Sequence, residues 1–220
     1  MPHHCLALCH LKLGNPAAAE KAFLAALGET GHVDKAQLDY ARFLRDANRE
    51  VEALNQLHLL ITAFPRHGAA WCLGGEIALS RANFLEFALD WTASAFQALP
   101  EDPVIATQRA TALMLGGRAA DAVPLWEKLW RCEPQPRTLA ALILCELTAG
   151  LPVHAPNAGA DEPSSSVAFV EWYQKLIALR AKPLLEQING RLESLAGTLP
   201  TAAEMLQNAL SAAETPLAAG

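Results

Sequence analysis

Charge is scarce in this 220-residue chain: only 18% of its residues are charged, and they sum to −6 with no basic surplus. A chain without that surplus has no non-specific hold on a phosphate backbone, so nucleic-acid binding is disfavoured. Cysteine is sparse and odd in number. Cys5, Cys9, Cys72, Cys132 and Cys145 show no paired spacing, which reads as reduced thiols in a reducing, cytoplasmic compartment. The opening MPHHC lacks a basic segment followed by an apolar run, so no signal peptide is visible. The longest apolar stretch, LAALILC (139–145), stops at Glu146 and is too short to span a bilayer. What the chain does have is apolar surface, with 52% hydrophobic residues, enough for a sizeable core.

That surface recurs with a period. Ala19, Phe23 and Ala26 stand at steps of four and three, and Ala53, Leu57 and Leu60 repeat them 34 residues later. Ala88, Thr92 and Ala95 follow after 35, and Ala122, Trp126 and Leu129 after 34 more. Prolines 65, 100 and 134 follow the last three sets. Thr92 is the one small residue in the large slot, and Trp91 and Phe96 beside it are expected to supply volume. Upstream of each set lies a second apolar segment: Leu6-Ala7 with Gly14, Tyr40-Ala41-Leu44, Trp71 with Gly74-Gly75-Ala78, and Ala110-Leu113 with Gly117. This predicts two antiparallel helices per unit. The small residue permits close approach, the large ones fill the seam, and proline ends the second helix. Asn15-Pro16 and Asp102-Pro103 read as N-caps ahead of a proline in the first turn. Gly14 and Gly116-Gly117 read as turns between paired helices.

These residues resemble the tetratricopeptide repeat family, whose pattern is Trp-x-x-Leu-Gly-x-x-Tyr, then Ala-x-x-x-Phe, then Pro, on the same period. The resemblance implies an all-α, right-handed α-solenoid of about four helix pairs with a C-terminal helical extension. The expected repeats are about 1–33, 34–67, 68–102 and 103–136, with a fifth first-helix over 136–150. Residues 151–165 are rich in Pro, Ala, Ser and Gly and read as a flexible linker. Helices are expected over 166–213 and a disordered tail over 214–220. The helix from Ser166 is expected to turn Val170, Tyr173, Leu176 and Ile177 inward. Residues 183–197 continue the apolar periodicity, and Thr201 with Glu204 reads as a capping box. A helical cap on the last repeat is the plain reading of this extension; a docking or dimerising hairpin is the other.

The tail carries a second resemblance. FVEWYQKLI with RLESLAGTLPTAAEMLQNAL looks like the end of bacterial proteins in which a family-two glycosyltransferase domain precedes tetratricopeptide repeats. The sugar-nucleotide domain and its Asp-x-Asp metal motif are absent, so no catalytic residue carries over. His3 also stands where the first repeat wants a large apolar residue, and no capping helix precedes it. The repeat tail of a larger enzyme is therefore the alternative to a free-standing adaptor.

Candidate chemistry is thin. HHCLALCH (3–10) puts Cys5 and Cys9 one turn apart with His3, His4 and His10 near, a soft donor set that suits zinc. No second Cys/His group answers it, so no metal is assigned. His32, His58, His67 and His154 have no triad neighbours, and Ser164–Ser166 lack a nucleophile-elbow setting. Gly74-Gly75 reads as packing rather than a phosphate loop. Trp126 and Trp130 read as core. No cofactor and no catalytic residue is implied.

The resemblance does imply a groove, lined by the first helix of each pair. Its slots fall on Lys35, Leu38, Arg42 and Arg45, then on Ala69, Cys72, Glu76 and Leu79, then on Val104, Thr107, Thr111 and Met114. Lys35, Arg42 and Arg45 suggest an acidic or C-terminal carboxylate peptide; a solvated helix face is the plainer reading. The family's carboxylate clamp for chaperone tails is missing, since its slots hold His4, Leu8, Asp39, Ala69 and Leu73. The implied function is non-catalytic binding of a protein or peptide partner. Self-association through the N-terminal edge or the C-terminal helices is a further expectation.

Overall fold

A computed structural model describes residues 2–29, 33–152, 162–178, 186–188, 190–191, 204 and 207–208. Among the described residues every regular element is helical. The order is α1 (Pro2–Lys12), α2 (Pro16–Leu27), α3 (Val33–Asp46), α4 (Glu50–Ala63), α5 (Gly68–Ala78), a 3-10 turn (Ala82–Phe84), α6 (Leu85–Ala98), α7 (Pro103–Leu115), α8 (Ala119–Cys132), α9 (Pro136–Ala149) and α10 (Glu162–Ala178). Each helix packs on the next, and α3, α5 and α7 also touch in succession. The first helices of the pairs therefore form the inner layer of an α-solenoid.

The punctuation between helices is nearly periodic. Gly14, Asn48, Gly117 and Gly150 hold left-handed φ values of 72°, 58°, 74° and 72°, each just after a first helix. Asparagine tolerates that region better than most side chains, so Asn48 does the work of a glycine. The third pair has no left-handed residue at this point and closes with the 3-10 turn instead. At the other turns α4, α6 and α8 each end two residues before Pro65, Pro100 and Pro134, with Phe64, Leu99 and Glu133 as C-caps. A residue before proline is driven out of the helical region, which sets that boundary. Asp102 caps α7 as expected, accepting from the Val104 and Ile105 amides at 2.9 and 3.2 Å. Asn15 does not: its side chain makes no cap bond, and Pro16, with its fixed φ, starts α2 without one.

The periodic seam is the core. Ala19, Phe23, Ala53, Leu57, Leu60, Ala88, Ala122 and Trp126 are all buried. Thr92 is buried too, and its hydroxyl donates to the Ala88 carbonyl at 2.7 Å. Room beside it admits the Arg109 guanidinium, which donates to the Leu89 carbonyl at 2.7 Å. Trp91 turns the other way, onto α5. A Cβ at Gly74 would lie 2.1 Å from the Trp91 ring, and one at Gly75 would lie 2.2 Å from the Gln108 amide. Both glycines are spaces that neighbouring side chains fill. Trp91 donates to the Trp71 carbonyl at 3.0 Å and meets the Trp71 ring edge-on at 5.0 Å.

The C-terminal end differs from the expectation in where its helix begins. The chain re-enters a helix at Glu162, four residues before Ser166, because Pro163 is compatible with a helix's first turn. Among its described side chains α10 buries Ala168, Trp172 and Leu176, with Val170 half-buried. The side chains of Tyr173 and Ile177 lie outside the described residues, as do 153–161 of the linker, most of 183–197, the Thr201 box and 214–220. Helix α10 packs on α9, whose residues 139–148 are all buried, Glu146 included. Arg191 donates to the last carbonyls of α9, Leu147 and Thr148, where a cation also suits the helix dipole. No described helix is long and apolar enough to cross a membrane.

Candidate functional site

Described residues of the inner layer form a depression at each of two places. The smaller, about 510 Å³, lies between α1 and α3 and is lined by Leu8, Leu11, Asp39, Arg42 and Phe43 among others. The larger, about 530 Å³, runs from α5 across α7 to the start of α9 and to α10. Cys72, Glu76, Leu79, Val104, Thr107 and Thr111 line it on one side, and Arg137, Thr138, Trp172 and Lys175 on the other. Trp126 also lines it and meets Trp172 edge-on, ring centres 5.7 Å apart.

The residues expected from the repeat slots are thus divided. Cys72, Glu76, Leu79, Thr107 and Thr111 meet in the larger groove, and Arg42 borders the smaller depression. Leu79 and Thr111 are mostly covered and form part of the wall. Leu38 packs in the core cluster and lines neither depression, and Met114 is fully buried. Ala69 and Lys35 are not buried. Arg42 pairs with Asp39 at 2.7 Å, and Arg45 pairs with Asp46 at 2.9 Å and Glu76 at 3.2 Å. Two of the three cations expected to greet an acidic peptide therefore already have carboxylate partners.

Among the described residues the cations at the α9–α10 end of the larger groove have no carboxylate partner. Arg137 and Lys175 lie 5.5 and 5.3 Å from the centre of the Trp172 ring. Trp172 is fixed by its indole N–H, which donates to the Arg137 carbonyl at 2.9 Å. Burial, with Arg137 adding to it, pulls the Lys175 ammonium below the usual lysine range. Burial likewise pushes the Cys72 thiol up to about 11, with Asp102 contributing. These groups were missed because Trp172 and Lys175 belong to α10, which has no repeat pattern to place it. Arg137 could have been found, since it falls about one period after the α7 slots.

Near the N-terminus, His4 bonds Asp39 at 2.9 Å and His3 bonds Glu29, while Cys5 and Cys9 are exposed. Among the described residues no three His, Cys, Asp or Glu side chains converge as metal ligands would.

No protein-family model and no curated protein matches the sequence. Among solved structures the chain matches the MamA RS-1 ArsTM double mutant with a TM-score of 0.57 at 15% identity, over 82% of this chain and 94% of that one. It also matches TTC0263, a thermophilic TPR protein of Thermus thermophilus, with a TM-score of 0.49 at 18% identity, over 85% and 97% of the two chains. A mutant of Thermobaculum terrenum O-GlcNAc transferase matches with a TM-score of 0.42 at 14% identity, over 64% of this chain and 26% of that one. At such identities a likeness speaks for the fold alone. With helix pairs in phase, left-handed turns after the first helices and those first helices as the inner layer, this chain has the tetratricopeptide-repeat fold.

Proposed function

We propose that the chain is a non-catalytic interaction scaffold that holds a peptide segment of a partner protein in the larger groove. The observation that supports this is the meeting of Cys72, Glu76, Leu79, Thr107 and Thr111, from two successive first helices, in one depression of about 530 Å³. A groove of this kind offers an apolar floor with a few polar groups to orient an occupant, as binding sites generally do. Gln108, one of its lining residues, fills the space at Gly75. No enzymatic role is assigned to it.

The test is selection of random twelve-residue peptides displayed on phage against the full chain. The selected peptides should lose binding to Thr107→Trp, which fills the groove, and keep it with Val51→Trp on the exposed face of α4. Failure to select any peptide, or binding indifferent to Thr107→Trp, would sink the proposal.

A further inference from the structure

Among the described residues two cations at one end of the groove have no carboxylate partner, and that says something about the occupant. Resting on the groove reading above, we infer that the α9–α10 end is a seat for acidic side chains of the bound segment, received by Arg137 and Lys175 beside Trp172. Among the described residues neither cation makes an ion pair, and each instead lies against the indole ring. A ring face attracts a cation less strongly than a desolvated carboxylate does. Burial first, and then the Arg137 charge crowded onto the same ring, lowers Lys175. The start of α9 adds to the same potential. Gln135, its N-cap residue, makes no side-chain cap bond and donates instead to Glu133 at 2.7 Å. The positive end of the helix dipole is thus left facing the groove without a capping acceptor from that residue. Thr138, also lining the groove, places a hydroxyl beside these charges.

Two positive charges favour more than one negative partner. Acidic side chains of a passing segment supply that, whereas a single C-terminal carboxylate supplies one charge. The opposite end of the groove matches this polarity. There Glu76 is 63% exposed and paired to Arg45, so that end carries no uncompensated positive charge to compete for the acids.

The experiment uses the peptides selected above, synthesised with both ends blocked, and fluorescence anisotropy on the full chain. Selected peptides should be enriched in Asp and Glu. Converting those residues to Asn and Gln should weaken binding about tenfold per lost charge pair. Arg137→Gln, a change on an exposed side chain, should do the same, and Lys175→Met should add to it while keeping the packing on Trp172. Arg137→Glu with Lys175→Glu should lose acidic peptides and bind those in which Asp and Glu are replaced by Lys. Peptides without acid enrichment, binding only with a free C-terminus, or affinity unchanged in Arg137→Gln would overturn the inference. If those outcomes came with loss of binding in Thr107→Trp, the groove reading would stand without the acidic seat. If no peptide were selected, both would fall.

Discussion

Helices α1 and α9 hold the same place in their repeats but have opposite surroundings. In α1 only Ala7 is buried, and Leu6 and Leu11 are 46% and 36% exposed. In α9 ten consecutive residues are buried, from Leu139 to Thr148. The difference lies in what covers the second side. Helix α2 serves α1 on one side, and no described element covers the other. Helix α9 has α8 on one side and α10 on the other, with Arg191 closing its end. The compositions agree: HHCLALCHLK has polar groups around most of its circumference, while LAALILC has none. A helix apolar all round is a helix covered all round. The same asymmetry runs along the groove. On α3, Arg42 and Arg45 are paired to carboxylates of the chain itself, whereas among the described residues Arg137 and Lys175 make no ion pair.

The comparison can be broken most directly in the two cores. Leu144→Ala should destabilise the fold by about 2–5 kcal/mol, because a cavity opens in a fully covered helix. Leu6→Ala should cost less than about 0.5 kcal/mol. Urea unfolding of both variants measures this, and equal costs would mean that α1 is covered in solution. Between the two ends, Gly74→Ala should cost about 1–3 kcal/mol. The gain in helix propensity, about 1 kcal/mol, is outweighed by a Cβ placed against the buried Trp91 ring.

The thiols sharpen the contrast along the groove. With its thiol near 11, Cys72 is ionised to about one part in a thousand at pH 8, against roughly a quarter for an ordinary thiol. Its alkylation should be about two hundredfold slower than an ordinary thiol's, in proportion to the thiolate present, and rise tenfold per pH unit until about 11. A bound groove peptide should slow it further and leave the exposed Cys5 untouched. Alkylation of Cys72 as fast as an ordinary thiol would mean that the groove is open and wet.

Much of this was legible in the sequence, and the reasons are specific. The seam residues recur at 34 and 35 because each pair buries the same face, so Phe23, Leu57 and Trp126 could be placed in the core from spacing alone. Leu38 and Met114 went astray because slot assignment cannot tell a groove-lining position from the buried one beside it on the same helix. The charge pairing of Arg42 and Arg45 was hidden because Asp39, Asp46 and Glu76 reach them through side-chain geometry, partly across repeats. Trp172 and Lys175 were hidden because α10 lies outside the repeat, and only contact with α9 shows which of its faces is inward.

Removal of the α9 end-cap is a smaller effect. Arg191→Ala should cost about 1 kcal/mol, the loss of a charged donor to the Leu147 and Thr148 carbonyls at a helix terminus. A cost near zero would mean that water replaces it without penalty and that the covering of α9 rests on α10 alone.

The smallest effect belongs to the paired cations of α3. Arg45 bridges Asp46 and Glu76 with 33% of its side chain exposed, and exposed pairs are worth about 0–1 kcal/mol. Arg45→Ala should therefore shift stability by no more than about 0.5 kcal/mol, and the shift should vanish in high salt. Its effect on groove binding should run opposite to that of Arg137→Gln. Releasing Glu76 leaves an unpaired carboxylate at one end of the groove, which favours peptides with a basic residue there and does not weaken the hold on acids at the other end. If Arg45→Ala instead weakened acidic peptides as much as Arg137→Gln, the two ends of the groove would be electrostatically alike. The pairing seen at α3 would then be a contact that a ligand displaces.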